Sequence, residues 1–359
     1  MNEIEAKDLK NRIDNGERLF LLDVRSKEEY EDWRIEGSKN IPLDELRGRI
    51  DEISDGKEII TVCSHGVRSS MATQMLSGMG MDVKTLAGGM AEWNCIFDAV
   101  EMKESGYEII QFRRPGKGCL SYMVASDGKA IVFDPSFLAG EYLETAAGKN
   151  VRILAVADTH QHADHISGAR WLAKLSKARL YLNPAEGYRF SGYDEIRDGL
   201  AIRIGRVNIE CIAAPGHTKG STCFLINGKY LLTGDTLFIE GVGRPDLKEN
   251  AHQQALQLYG TLKNKIMKLP KDTVILPGHF GQDVKVRAGE VVGGSLGKLK
   301  ESLRILNSPE NEFVLSCSNV PQKPPNHLEI IEINRNDTDL DEEHAKALEE
   351  GPNRCAIKG

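Results

Sequence analysis

Seven histidine and aspartate side chains after residue 150 have the types and the spacing of a metal centre. Four of them lie within six residues of one another: His160, His162, Asp164 and His165. Three others each follow a glycine directly: His217, Asp235 and His279. Neutral imidazoles and carboxylates are ligands that transition metals take in proteins, and the glycines let the backbone aim them. We therefore predict that these seven side chains converge on a metal site.

A second reactive segment surrounds Cys63. A predicted strand ends at Cys63, and the chain then passes Gly66 and Arg68 to a helix predicted to begin near Ser69. A loop between a strand and a helix points backbone N–H groups inward, at the positive end of the helix, and such a cradle stabilises a thiolate or persulfide anion. Gly66 lets the backbone bend, and Arg68 adds positive charge near a bound group. We therefore predict that Cys63 is a reactive thiol.

The first hundred residues alternate between strands and helices. Short apolar runs at 19–24, 58–62 and 83–86 predict buried strands, while 4–13 and 71–79 have helical patterns. This alternation predicts an α/β unit with a mainly parallel sheet.

The pattern changes at about residue 107. Three consecutive strands, at 107–112, 119–125 and 130–133, are separated by turn residues and predict antiparallel hairpins. Further strands are predicted at 151–157, 180–182, 207–213, 230–233 and 274–276, with a helix at 168–175. We expect stacked sheets flanked by helices. The predicted domains are 1–103, 107–290 and a C-terminal extension, 291–359, packed on the second domain.

Composition limits the class of protein. Of the 359 residues, 40% are hydrophobic, and the net charge of −7 falls wholly within residues 1–100. Neither part has the basic excess that nucleic acids or anionic membranes attract, and no apolar run approaches the ~18 residues of a membrane span. The charged N-terminus is no signal peptide, and seven cysteines are an odd number for a disulfide framework. These features predict a cytoplasmic protein without nucleic-acid or membrane partners.

The first hundred residues resemble the rhodanese family of sulfurtransferases. Four motifs occur in order: Leu22-Asp23-Val24-Arg25 with Glu28-Glu29-Tyr30, Gly37-Ser38 with Asn40-Ile41-Pro42, the Cys63 to Ser69 loop, and Gly88 to Trp93. The resemblance implies that Cys63 and Arg68 are catalytic and that Cys63 carries a sulfane sulfur as a persulfide. The other loop residues are then candidates for substrate binding: Ser64, His65, Gly66, Val67 and Ser69. Only four residues separate Cys63 from Arg68, whereas related phosphatase loops have five, so the loop suits sulfur.

Residues 107–290 resemble the metallo-β-lactamase superfamily, on the seven predicted metal ligands. The resemblance implies an αββα sandwich with the metal site at one edge of the two sheets. The superfamily includes hydrolases and redox enzymes, so the fold alone does not determine the reaction.

Two glutathione-related branches of the superfamily share all seven ligand positions. In the persulfide dioxygenase branch, one Fe(II) per chain would be held by His160, His217 and Asp235, leaving open positions for O2 and substrate sulfur. Four residues would then orient the ligands and the bound sulfur: His162, Asp164, His165 and His279. In the glyoxalase II branch, the same four residues would complete a binuclear zinc or mixed-metal site that hydrolyses thioesters.

Three features favour the dioxygenase branch. Gly243-Arg244-Pro245-Asp246 resembles that branch, and so do the tail segments at 321–327 and 351–355. A persulfide handled at Cys63 is also chemically continuous with a persulfide oxidised at iron, whereas a thioesterase gains nothing obvious from a sulfurtransferase. Arg244 and Asp246 are candidates for substrate binding, or they pair with each other.

We therefore predict an enzyme of sulfur metabolism that oxidises a low-molecular-weight thiol persulfide, such as glutathione persulfide, to sulfite. Its small-molecule partners would be the persulfide, O2 and thiosulfate or sulfite, and a homo-oligomer is left open. A non-catalytic persulfide carrier or sensor is the alternative of another class. The sequence identifies neither the thiol carrier, nor the direction of sulfur transfer, nor a role for Cys355.

Overall fold

A computed structural model describes residues 2–53, 56–246, 250–282, 284–317, 323 and 326–358. Two compact units divide the chain. The first comprises Met1–Asp98, Arg114–Lys117 and Glu350–Pro352, and the second comprises Ala99–Arg113, Gly118–Glu349 and Asn353–Gly359. Of the tail segment predicted at 321–327, residues 321, 322, 324 and 325 lie outside the described residues.

The first unit contains a five-stranded parallel sheet in the order β1-β5-β4-β2-β3. Its elements, in chain order, are β1 (Glu3–Ile4), α1 (Ala6–Asp14), β2 (Leu19–Asp23), α2 (Lys27–Asp32), β3 (Lys39–Asn40), β4 (Glu58–Val62), α3 (Val67–Ser77), β5 (Val83–Leu86) and α4 (Gly89–Trp93). The predicted α/β rhodanese-like fold is therefore confirmed.

Helices cover both faces of this sheet, which explains why its strands are continuous apolar runs. Leu21 lies in a buried cluster with side chains of α1 and α4. The next residue, Leu22, points to the opposite face and lies in a cluster with Leu76 of α3. This alternation follows from the two-residue period of a strand.

Two boundaries differ from the sequence prediction. Ile4 was expected in the first helix, but it lies in β1 and pairs with Leu86 of β5, and the helix begins at Ala6. Helix α3 begins at Val67 rather than near Ser69, because Gly66 adopts a left-handed φ of 90° and directs the chain into the helix. Both differences come from contacts or backbone conformations that side-chain periodicity does not report.

The second unit contains two large sheets. The seven-stranded sheet has the order β12-β11-β10-β9-β8-β7-β6. Its strands and the two helices between them are β6 (Asp98–Glu104), β7 (Tyr107–Arg114), β8 (Cys119–Ser126), β9 (Lys129–Phe133), α5 (Ala139–Gly148), β10 (Arg152–Ala157), α6 (Ala169–Ser176), β11 (Arg179–Leu182) and β12 (Asp194–Glu195).

The six-stranded sheet has the order β13-β14-β15-β16-β18-β19, and β17 and β20 form a separate antiparallel ribbon. The elements in this part are β13 (Ala201–Ile204), β14 (Val207–Ala213), β15 (Thr222–Ile226), β16 (Tyr230–Gly234), β17 (Gly241–Gly243), α7 (Ala251–Asn264), β18 (Val274–Pro277), β19 (Gly294–Ser295), α8 (Leu296–Ser302), α9 (Glu310–Ser316), α10 (His327–Arg335), α11 (Glu342–Leu348) and β20 (Ala356–Lys358).

The core of the second unit lies between the two sheets. The rings of Phe133 in β9 and Phe224 in β15 lie 4.7 Å apart, and both side chains are fully buried. Helices α5 and α6 contact β10 of the seven-stranded sheet. A second buried cluster joins Leu231 of β16 to Leu258 of α7 and Phe313 of α9. The predicted αββα sandwich is therefore confirmed.

Among the described residues, no helix has the length and apolar character that crossing a lipid bilayer requires.

Candidate functional site: a thiol loop and a histidine–aspartate metal centre

Cys63 follows the last residue of β4 and lies at the base of a loop that leads into α3. The Gly66 N–H donates a hydrogen bond to the Cys63 sulfur at 3.2 Å, and the thiol contacts the Ser69 hydroxyl at 3.3 Å. Cys63 and Ser69 are both buried. The structure thus brings the predicted thiol, the glycine and the first helical turn together around one sulfur atom.

The cationic residue of the loop, Arg68, pairs with an acid. Its two terminal nitrogens each donate to a different oxygen of Glu29 at 2.7 Å. The Arg68 guanidinium also donates to the Ser64 hydroxyl at 3.0 Å. These contacts with Arg68 lower the pKa of the Glu29 carboxyl to about 2. Glu29 belongs to a motif noted in the sequence, but its role as the partner of Arg68 was not predicted.

Two other predicted loop residues, His65 and Val67, are exposed to solvent. His65 is exposed, and its Nε2 lies 2.6 Å from an oxygen of Glu350. Val67 leaves 65% of its surface exposed. The carbonyl groups of Cys63 and Ser64 accept hydrogen bonds from the backbone N–H groups of residues 90 and 91, at 2.8 and 3.1 Å. These two backbone hydrogen bonds from the start of α4 therefore fix the backbone of the thiol loop.

The predicted metal ligands all lie at strand ends. The segment from His160 to His165 follows β10, and the other three predicted ligands follow β14, β16 and β18: His217, Asp235 and His279. All seven side chains are at least 97% buried. The structure therefore brings together every residue predicted for this site, although it divides them into smaller groups.

One group consists of His160, His217 and Asp235. The Nε2 atoms of the two histidines lie 3.7 and 3.5 Å from Oδ2 of Asp235. Within the described part of the chain, these three atoms are buried without a hydrogen-bond partner. Unsatisfied buried ligand atoms that face one another cost free energy unless something lies between them. Their donor set, two imidazoles and a carboxylate, fits a divalent transition metal.

The opposite edge of each imidazole is anchored. His217 Nδ1 donates to the carbonyl oxygen of Arg244 at 2.8 Å, and His160 Nδ1 lies 2.8 Å from the Thr159 hydroxyl. A hydrogen bond at Nδ1 leaves Nε2 as the metal-binding nitrogen and fixes the ring orientation. The site is thus arranged for ligation through Nε2.

A second group consists of Asp164, His165, His279 and Cys119, whose potential ligand atoms all lie within 4.8 Å of one another. His279 joins the two groups, because its Nδ1 lies 2.6 Å from Asp235 Oδ1 and its Nε2 lies 2.9 Å from Asp164 Oδ2. Cys119 is not among the predicted metal ligands. It begins β8, more than 40 residues before Asp164, so no local motif could have revealed its place.

His162 belongs to neither of these groups. Its Nε2 lies 3.3 Å from Oδ1 of Asp134, with which it forms a third buried cluster that includes Asp158. Asp134 also accepts a hydrogen bond from the Thr159 backbone N–H at 2.6 Å. His162 therefore has its Nε2 beside Asp134, which supports the loop, while its ring centroid lies 4.3 Å from that of His160.

The two groups have opposite electrostatic character. Burial and the neighbouring His162 lower the pKa of His160 well below its ordinary value, and burial lowers the pKa of His217. Burial also lowers the pKa of His165, but the charge of Asp164 outweighs burial and raises the pKa to about 10. The same carboxylate, with Asp235, raises the pKa of His279 well above its ordinary value. The first group thus holds neutral imidazoles, and the second holds imidazolium ions beside carboxylates.

Arg244 and Asp246 pair with each other, through contacts of 2.7 and 3.0 Å between guanidinium nitrogens and carboxylate oxygens. Arg244 also donates to the carbonyl oxygens of Arg354 and Cys355, at 2.9 Å in each case. Cys355 itself lies with Asp235 and His279 in a cluster of potential metal ligands. The tail beside β17 therefore contributes to the wall of the site.

Comparison with known proteins finds a family for each of the two parts of the chain. The Rhodanese-like domain family matches residues 5–95, and the Metallo-beta-lactamase superfamily matches residues 114–279. Human mitochondrial persulfide dioxygenase ETHE1 is 37% identical over 131 residues, which are 36% of this chain and 50% of the human protein. A hydroxyacylglutathione hydrolase of Polaromonas sp. is 33% identical over 167 residues, 44% of this chain and 61% of that protein.

Among solved structures, ETHE1 from Myxococcus xanthus resembles this chain with a TM-score of 0.55 and 26% identity, covering 67% of this chain and 98% of that one. The chain belongs to the metallo-beta-lactamase superfamily and carries a rhodanese-like domain before its metallo-beta-lactamase fold. It spans only 50% of the human dioxygenase and 61% of the hydrolase, so neither activity follows from similarity alone.

Proposed function

We propose that this protein is a persulfide dioxygenase with an attached sulfurtransferase. The reaction is RSSH + O2 + H2O → RSH + sulfite + 2 H⁺, where RSSH is the persulfide of a low-molecular-weight thiol such as glutathione. Thiosulfate or sulfite is the further small-molecule partner, at Cys63, and the cytoplasm is the proposed location.

The observation that carries the proposal is the buried group of His160, His217 and Asp235, whose Nε2, Nε2 and Oδ2 atoms face one another without a hydrogen-bond partner among the described residues. Two imidazoles and one carboxylate facing one point are the ligand set of mononuclear iron oxygenases. One Fe(II) held by these residues would supply redox chemistry toward O2, which zinc does not. Asp235 uses Oδ2 toward this point while Oδ1 accepts from His279, so His279 orients the carboxylate.

The chain's own residues have clear tasks around this centre. His217 is oriented by the Arg244 carbonyl, and Arg244 is in turn held by Asp246. All of the candidate ligands are buried, which excludes bulk water and protects a reactive persulfide from side reactions. The imidazolium ions of His165 and His279 would stabilise the negative charge that develops on the oxygen atoms of sulfite as it forms.

In the rhodanese-like domain, we propose that Cys63 accepts the outer sulfur of a donor. For a persulfide donor the step is Cys63–S⁻ + RSSH → Cys63–S–SH + RS⁻, in which one S–S bond breaks and another forms. The Gly66 N–H is placed to stabilise the resulting persulfide, since it already donates to the sulfur of Cys63.

Thioester hydrolysis is the second candidate. The group of Asp164, His165 and His279, joined to Asp235 through His279, offers ligands for a second metal ion beside the first. A binuclear zinc or mixed-metal site of this kind would support attack by hydroxide on a thioester carbonyl. The Polaromonas relative, a hydroxyacylglutathione hydrolase, supports this alternative.

Metal analysis and oxygen uptake distinguish the two candidates. We expect about one iron per chain and O2 consumption with glutathione persulfide that matches sulfite formation. Binuclear zinc, together with hydrolysis of S-lactoylglutathione under anaerobic conditions, would instead establish the hydrolase, because hydrolysis needs no O2.

A further inference from the structure

The capping residue of helix α2 also organises the thiol loop. Glu29 is the third residue of α2, and its carboxylate accepts from the Ser26 backbone N–H at 3.0 Å in a capping box. The same carboxylate accepts from the Ser64 hydroxyl at 2.9 Å and from both terminal nitrogens of Arg68. One carboxylate thus ties the beginning and the end of the Cys63 loop to a neighbouring helix.

The contact between Glu29 and Arg68 reduces the positive charge that the Cys63 loop presents to a substrate. Arg68 is the permanent cation of the loop, and its bidentate pair with the Glu29 carboxylate offsets that positive charge through two charge-assisted hydrogen bonds. The pair is only partly buried, with 38% and 36% of the two side chains exposed, so approaching anions meet both charges together. The other ionisable loop residue, His65, also contacts a carboxylate, that of Glu350.

The two kinds of sulfur donor respond differently to this charge. Transfer from thiosulfate, Cys63–S⁻ + S–SO₃²⁻ → Cys63–S–S⁻ + SO₃²⁻, brings a dianion to the loop and releases another dianion. Transfer from a thiol persulfide moves a sulfur from a donor whose reacting end carries at most one charge. A neutralised Arg68 therefore penalises thiosulfate more than a persulfide.

We propose that Glu29 is a specificity-determining residue of the rhodanese-like domain, which neutralises Arg68 and so favours thiol persulfides over thiosulfate as sulfur donors. This proposal rests on the proposed sulfur transfer at Cys63. Glu29 is a positioning residue: it acts through Arg68 and Ser64 and does not touch the sulfur.

The test is Glu29→Gln in the full chain. Glutamine preserves the capping box, because its side-chain oxygen still accepts from Ser26, but it removes the charge that faces Arg68. At low ionic strength we expect kcat/KM for thiosulfate to rise roughly fivefold to tenfold, mainly through a lower KM, and the gain to shrink in high salt. We expect kcat/KM for glutathione persulfide to stay within about twofold of the wild type.

Two controls isolate the charge effect. Glu31→Gln removes the same charge from the same helix, but Glu31 pairs with Lys27 and not with the loop, so it should leave donor preference unchanged. In an Arg68→Gln background, Glu29→Gln should give no gain for thiosulfate. A parallel fall of kcat/KM for both donors in Glu29→Gln would overturn the proposal and leave Glu29 with a purely structural role.

Alkylation of Cys63 gives a measurement that does not require sulfur transfer. The ratio of the rates with anionic iodoacetate and neutral iodoacetamide reports the potential at Cys63, and mass spectrometry of its peptide separates it from the other six cysteines. We expect this ratio to rise in Glu29→Gln. An unchanged ratio overturns the neutralising role of Glu29, whereas a raised ratio without transfer from any donor overturns only the proposed function.

Discussion

At the scale of single residues, the metal centre depends on which nitrogen or oxygen atom each ligand leaves free. His160 and His217 use Nδ1 for hydrogen bonds and direct Nε2 toward Oδ2 of Asp235. This arrangement leaves three buried atoms available to an ion, since none of them has a hydrogen-bond partner among the described residues. We therefore expect that removing any one of these ligands prevents the ion from binding.

We expect His160→Ala and Asp235→Ala each to lose bound metal and oxygen uptake together. Removing one of three ligands should reduce metal affinity by orders of magnitude, because the two remaining side chains no longer complete the group of potential ligands. Metal content and persulfide-dependent O2 consumption are the measurements. His252→Ala is a suitable control, because this histidine lies outside all of the clusters of potential metal ligands among the described residues. Retained turnover in either ligand variant would show that the ligand set is wrong.

The pKa directions predict how metal binding depends on pH. His160 and His217 have lowered pKa values and are neutral at pH 7, so a metal at these residues and Asp235 should displace few protons. His165, with its pKa raised to about 10, and His279, with a strongly raised pKa, are protonated at pH 7. A second metal must remove these protons, so its affinity should increase with pH.

Proton release during metal titration measures this difference. In a weakly buffered solution at pH 7, we expect little release with the first equivalent and about two protons with a second one. Equal release for both equivalents would contradict the division into neutral and protonated groups.

At the scale of secondary-structure elements, both sites are built where strands end and the chain turns. Gly89, in the first turn of α4, shows how closely these turns approach one another. A side-chain carbon at Gly89 would lie 2.2 Å from the carbonyl oxygen of Cys63, and the residue has a positive φ of 62°. The backbone of α4 can support the thiol loop only because this position has no side chain.

We expect Gly89→Ala to reduce sulfur transfer and to destabilise the first unit by more than the ~1–3 kcal/mol that a positive φ alone costs, because the added carbon also meets the Cys63 carbonyl oxygen. Gly16→Ala is the matched control, because Gly16 also has a positive φ, of 74°, but an added carbon there meets nothing within 4 Å. Sulfur-transfer kinetics and the urea midpoint of unfolding check the prediction. Equal effects of the two substitutions would mean that the close approach of α4 to the loop is unimportant.

At the scale of the whole molecule, two units with separate buried clusters carry the two candidate sites. Cys63 lies in a cluster with side chains of α3 and β2, whereas the metal ligands lie at the strand ends of the αββα sandwich. Each unit buries its own clusters of apolar residues.

We therefore expect Cys63→Ser to abolish sulfur transfer while sulfite formation from added glutathione persulfide stays largely intact. Serine preserves the size of the side chain but removes the sulfur that accepts the transferred atom. Cys95→Ser, in the same unit, is the control for a general effect of losing a thiol. If Cys63→Ser but not Cys95→Ser lost dioxygenase activity, the two chemistries would not be separate.

Much of the fold and of the candidate site could be predicted from local patterns. The apolar run of β4, followed by Cys63 and Gly66, specifies a strand and a loop within a few residues. Likewise the glycines before His217, Asp235 and His279 mark turns at strand ends. These features depend on neighbours in the sequence, so a single chain is enough to recognise them.

The partners of these residues were decided by the tertiary structure alone. Arg68 meets Glu29 across 39 residues of chain, and Cys119 meets Asp164 across 45. The sequence likewise left open the pairing of Ile4 with Leu86 that removes Ile4 from the first helix. Such pairs leave no periodic pattern in the local sequence, because the free energy that stabilises them comes from burial and charge matching between elements distant in the chain. The sequence by itself therefore determined which side chains are candidates for reactivity and where they lie in the chain, and the folded chain decided which charges and potential ligands surround them.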